Sequence, residues 1–75
     1  MSAVMPDRTL PVGSIETGFD GQHWYNRVVG SYVIVLSRDS AEETERKGRV
    51  MAEMRRAEHL VMNSAGGVVS HVRYA

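Results

Sequence analysis

Four short stretches rich in β-branched, aromatic and other apolar residues read as strands, and one stretch of helical spacing lies between the second and third. His23 to Val29 reads as a strand, Gly30-Ser31 as a turn, and Tyr32 to Ser37 as a second strand. Glycine at the first of two central positions predicts a type II′ hairpin turn. In the second strand Tyr32, Ile34 and Leu36 point one way and Val33 and Val35 the other, so both faces are apolar. Such a strand is either central in its sheet or offers one face as an interface.

Asp39 or Ser40 then caps a helix predicted to run to Glu58. Ser40 and Glu43 stand in the Ser-x-x-Glu relation, in which each side chain accepts from a backbone N–H of the first turn. Glu42, Glu43 and Glu45 crowd the helix start, and Arg46, Lys47, Arg49, Arg55 and Arg56 occupy the rest, an order that complements the helix dipole. The apolar side is thin, with Ala41, Thr44, Gly48, Met51 and Ala52 on one line and Val50, Met54 and Ala57 beside it. Glycine costs about 1 kcal/mol against alanine inside a helix, so Gly48 predicts a close approach of helix and sheet.

His59 to Asn63 is the third strand, Ser64-Ala65-Gly66-Gly67 a turn, and Val68 to Tyr74 the last strand. Upstream, Pro6, Pro11, Gly13 and Gly18 interrupt every apolar pair, and residues 1–18 read as a flexible arm, with Val12 to Thr17 as an optional edge strand. Residues 19–75 are then a single α+β domain, a two-layer sandwich of one helix on an antiparallel sheet of four to five strands in the order β-β-α-β-β. One helix covers one face. The other, carrying some of Tyr25, Val33, Val35 and Val69, must meet water, the arm or another molecule.

Composition narrows the classes. A chain of 75 residues buries only about 60% of its unfolded surface, and without cysteine it has no disulfide or thiolate site to help it. Small domains of this kind often lean on a partner or a second copy. Nine Lys+Arg against nine Asp+Glu exclude a strongly basic coat protein and an acidic tail. The apolar run Tyr32–Leu36 is too short to span a membrane, and residues 1–10 have no apolar core of signal-peptide length. The expectation is a cytoplasmic protein with no membrane contact.

The segment from Trp24 to Tyr74 resembles a small prokaryotic family, the domain-of-unknown-function family 2188. The likeness rests on Trp24 opening a strand, Gly30 in the turn, Ser40-Ala41-Glu42-Glu43 at the helix start and Gly48-Arg49-Val50-Met51-Ala52 within it. It continues through Glu58-His59-Leu60-Val61-Met62-Asn63, the Gly66-Gly67 turn and Val68-Val69-Ser70-His71-Val72-Arg73-Tyr74. Thr44, where a larger aliphatic is expected, and the doubled glycine depart from the family. The resemblance implies a fold and carries over no catalytic residue. The element order is also similar to that of small phage-encoded inhibitors, anti-CRISPR proteins among them, a likeness of architecture alone.

Residues able to carry chemistry are few. His23, His59 and His71 have neither helical nor strand spacing for a metal and read as surface or edge residues. No serine sits in a nucleophile elbow, and Ser70 and His71 face opposite sides of their strand. Gly66-Gly67 leads into a strand, whereas a phosphate loop must feed a helix. No enzyme, metal or cofactor is expected. Glu42, Glu43 and Glu45 read first as dipole partners with i,i+4 links from Glu43 to Lys47 and Glu45 to Arg49. With Asp39 they also form an acidic patch able to engage a basic protein groove.

The chain is neutral but polarised: residues 46–75 carry +4 and residues 1–45 carry −4. The basic flank Arg46, Lys47, Arg49, Arg55 and Arg56 would face phosphates in a nucleic-acid reading, the less favoured one because no recognised motif accompanies it. Tyr25, Tyr32, Val33 and Val35 exceed what one helix can hide and point to a protein interface. The expectation is a non-catalytic protein-binding module, most concretely a phage or mobile-element inhibitor, compatible with a homodimer. The alternative is a nucleic-acid-binding protein acting through the basic flank.

Overall fold

The computed structural model describes residues 10–74. Five strands, β1 (Ile15–Phe19), β2 (Trp24–Val28), β3 (Ile34–Ser37), β4 (Glu58–Met62) and β5 (Val68–Arg73), and one helix, α1 (Ala41–Arg55), form an α+β fold. The sheet runs in the order β3-β2-β1-β4-β5. Three neighbour pairs are antiparallel, but β1 pairs with β4 in parallel. The sheet is therefore mixed, where an antiparallel one is expected from the sequence. A parallel pair needs a long crossover, and α1 supplies it by carrying the chain from the β3 edge to the far side of β1.

The largest departure from expectation is β1. An arm through residue 18 with an optional edge strand is predicted, yet Ile15–Phe19 is the central strand, with Ile15 and Thr17 fully buried. The predicted boundary at residue 18 falls inside it. The upstream part of that arm, residues 1–9, lies outside the described residues. Local chemistry starts the β1–β2 hairpin: the Asp20 carboxylate accepts from the backbone N–H groups of Gln22 and His23 at 2.8 and 2.7 Å. These bonds hold the Asp20 carboxyl below the usual carboxylate range.

The β2–β3 connection is longer than a two-residue turn. Ser31 N–H donates to the Val28 carbonyl at 3.1 Å, and Gly30 takes a φ of 83° at the third position of that turn. Tyr32 and Val33 lie in the connection, not in a strand. At the helix start Ser40 Oγ accepts from Glu43 N at 3.2 Å, while the Glu43 carboxylate turns to Arg46, so only the serine half of the expected box is made. The helix stops at Arg55, short of the expected Glu58. Arg56 is left-handed at φ 53°, its N–H reaches the carbonyls of Ala52 and Glu53, and Glu58 already opens β4.

Helix α1 packs over β1, β2 and β4. The apolar core is small: Ile15, Val28 and Ala52, with Met51 and Tyr74 packed against them. Strand register assigns the faces. Val35, Asn26, Thr17, Val61 and Ser70 form one row under the helix side, and Ile34, Arg27, Glu16, Leu60 and His71 form a row on the opposite face. A bulge leaves Val69 without a register partner near the start of β5. No helix among the described residues is long and apolar enough to cross a membrane.

Candidate functional site

The helix meets the sheet along its smallest residues. Thr44, Gly48 and Ala52 are the buried positions of α1, and they sit above a polar centre rather than an oily one. Thr17 Oγ1 lies 2.5 Å from Asn26 Oδ1 and 2.8 Å from His59 Nε2. Asn26 Nδ2 donates to the Thr44 carbonyl at 2.9 Å, which fixes the orientation of the amide. The Thr17 hydroxyl has one proton and Asn26 Oδ1 can only accept, so Thr17 donates to Asn26. His59 must then carry its proton on Nε2 and donate it to Thr17. Burial pushes the His59 pKa below the ordinary histidine value.

A hydroxyl 2.8 Å from an imidazole has the composition of a nucleophile–base pair, but the directions are wrong for one. The histidine donates to the hydroxyl, and Thr17 at 0% and His59 at 4% exposure admit no substrate. The cluster instead pins helix to sheet. His59, expected at a surface or edge, is thus a buried hydrogen-bond donor. Gly48 hinted at this centre in the sequence through its close approach; the identity of the groups below it was not legible.

On the opposite face Glu16 is buried between two donors. Tyr25 Oη donates to Glu16 Oε2 at 2.9 Å and Arg27 Nε to Glu16 Oε1 at 2.6 Å. Burial, together with the Glu16 carboxylate, pushes the Tyr25 phenol up to about 12. Tyr25 is therefore on the face away from the helix, half-buried and engaged.

The charged surfaces expected on α1 are brought against each other. Lys47 Nζ lies 2.5 Å from Asp39 Oδ2, and Arg46 pairs with Glu43. The two lysine and arginine groups hold the Asp39 and Glu43 carboxyls below the usual range. These pairs replace the expected Glu43–Lys47 link, and no Glu45–Arg49 ion pair forms. Glu42, Glu45 and Arg49 are exposed. Arg55 and Arg56 lie apart at the other end of the helix, where with Arg73 and Glu58 they border a hollow of about 350 Å³ beside Val12–Ser14. Glu58 pairs with both His71 and Arg73, the His71 ring holding its carboxyl low. No group of three or more potential metal ligands occurs among the described residues.

The apolar candidates sit at and beside β3. Far from being a central strand, β3 is an edge of the sheet. Tyr32, Val33, Ile34, Val35 and Leu36 are all exposed, from 45% at Val33 to 102% at Tyr32. Val35 belongs to the helix side, at the lip of a hollow of about 450 Å³ that also touches Ser37, Lys47 and Met51. Ile34 and Leu36, on the opposite face, border a smaller one with Tyr25 and Arg27. The apolar run is legible in the sequence; its place at the edge is not. Among comparisons with known proteins, no family model, curated protein or solved structure matches the chain.

Proposed function

We propose that this protein is a non-catalytic protein-binding module whose contact surface is the exposed edge of β3. The observation that carries the reading is five consecutive apolar residues, Tyr32 to Leu36, exposed along a sheet edge that is unpaired among the described residues. An edge strand offers a row of free N–H and C=O groups, and natural edges are usually blunted by charge, proline or a bulge. This one carries no charged residue or proline between Ser31 and Ser37. Strand addition uses such an edge for affinity and the alternate side chains for selectivity.

An inhibitor that occupies the surface of a host protein complex, as small phage-encoded inhibitors do, is the most concrete form of the reading. The basic flank favours nucleic acid less, because Arg46 and Lys47 are neutralised by Glu43 and Asp39. The test is affinity capture after nuclease treatment with wild type and Leu36→Pro in parallel, followed by reconstitution from purified components. A partner bound stoichiometrically by wild type and lost in the variant supports the reading. Binding that the variant retains, or that depends on nucleic acid and falls steeply with salt, overturns it.

A further inference from the structure

The edge geometry also specifies what fits against β3, given the reading of that edge as a contact surface. Val28 N–H donates to the Val33 carbonyl at 3.1 Å. Hydrogen-bonded pairs alternate along an antiparallel ladder, so the Val33 carbonyl and the backbone groups of Val35 and Ser37 turn inward to β2. Ile34 and Leu36 therefore turn theirs outward, to the open edge. The partner must supply two outward-turned residues at the same spacing, with apolar side chains on both faces and no charge opposite Ile34–Leu36.

We infer that in the protein free of any other partner the occupant is a second copy of this chain, joined β3 to β3′ in antiparallel pairing about a two-fold axis at Val35. A foreign partner must displace that copy to use the same edge. In that register Ile34 of one copy stands opposite Leu36 of the other, and the outward groups of both residues close four hydrogen bonds. Val35 faces Val35′ across the axis as a non-hydrogen-bonded pair on the helix side. Tyr32 meets Arg38′, a cation against an aromatic ring. The axis is normal to the sheet, so both helices lie on one face of a continuous ten-stranded sheet.

Three features select this partner. The pattern Ile34-Val35-Leu36 is apolar in either direction, so it complements its own reverse. Helix α1 packs on β1, β2 and β4 and leaves an open hollow beside Val35, which gives the facing Val35′ room. The opposite edge is guarded: β5 carries a bulge at Val69 and the charged cluster of His71 and Arg73 with Glu58. Pairing through β3 alone closes at two copies instead of growing a fibre.

The experiment is sedimentation equilibrium of the pure protein across concentration, with single-cysteine cross-linking. Wild type is expected to move from 8.4 kDa to twice that mass. Leu36→Pro removes an outward N–H that β2 does not use, so it should stay at 8.4 kDa with an unchanged far-UV spectrum. Val35→Cys, in a chain with no other cysteine, should oxidise to a disulfide dimer at least about tenfold faster than Val12→Cys, because pairing raises the effective thiol concentration. This second variant keeps the test valid if Leu36→Pro fails to fold. A wild type that remains monomeric to millimolar concentration, with Val35→Cys no faster than Val12→Cys, overturns self-pairing. If that monomer still captures another protein in a Leu36-dependent way, the binding reading stands and the second copy falls. If Leu36→Pro folds and keeps every association, both fall.

Discussion

Replacing Gly48 with alanine tests how the two layers are held together. In an exposed helix the change would gain about 1 kcal/mol of propensity. Here a Cβ at residue 48 would stand 2.4 Å from both Asn26 Oδ1 and Thr17 Oγ1 and 2.8 Å from His59 Nε2. Helix and sheet must part by about 1 Å to restore ordinary contact. Overpacking of this kind costs about 1–3 kcal/mol. Parting the layers also stretches the Asn26–Thr44 bond, and a buried polar group left without its partner costs about 1–3 kcal/mol more. After subtracting the propensity gain, the net loss is about 1–5 kcal/mol. A domain of 75 residues has about 4–11 kcal/mol in all. At about 4–8 °C per kcal/mol, Gly48→Ala should lower Tm by at least about 4 °C in a thermal melt followed by circular dichroism. Glu53→Ala, on the exposed side of the same helix, should stay within about 0.5 kcal/mol of wild type. A Gly48→Ala protein that melts at or above wild type would refute the account of the polar centre.

Further outcomes follow from the titrating groups. His59 is held neutral by burial, so the unfolded chain binds its proton more readily than the folded one. The stability this contributes is complete above the unfolded histidine value of about 6.5 and is lost as pH falls toward the lower folded value. Urea midpoints should therefore decline from pH 7 to pH 5, and the decline should flatten in His59→Gln; an equal decline in the variant would contradict it. Tyr25 has the opposite sign. Its folded value of about 12 lies above the unfolded one, so the stability it contributes is present below pH 10 and lost as pH rises through that window. Ultraviolet titration should show one of the three tyrosines ionising near 12, and Tyr25→Phe should remove that step.

Local signals were legible where chemistry is local. The Ser40 cap and the close approach at Gly48 are each written in one or two residues and appear where expected. The sheet order was not, for two reasons. The central strand β1 alternates Ile15, Thr17 and Phe19 with Glu16 and Gly18, so it reads as a weak amphipathic edge. Its polar members are buried because each finds partners on other strands: Thr17 on Asn26 and His59, Glu16 on Tyr25 and Arg27. Those partners are up to 42 residues away, beyond any periodicity. Conversely β3 has the apolar run of a central strand and lies at the edge. Its hydrophobicity answers to no neighbour on its open side among the described residues. The helix charges failed in a subtler way, since Lys47 reaches back eight positions to Asp39 instead of four to Glu43.

Amide hydrogen exchange resolved by residue tests most directly whether the β3 edge is the contact surface. Val35 and Ser37, whose amides turn toward β2, should be protected under all conditions. Ile34 and Leu36, whose amides turn outward, should exchange at the unprotected rate in dilute solution and slow markedly as the protein associates. Outward amides that remain unprotected in the associated protein, with protection appearing on the helix flank or at β5 instead, would contradict the account.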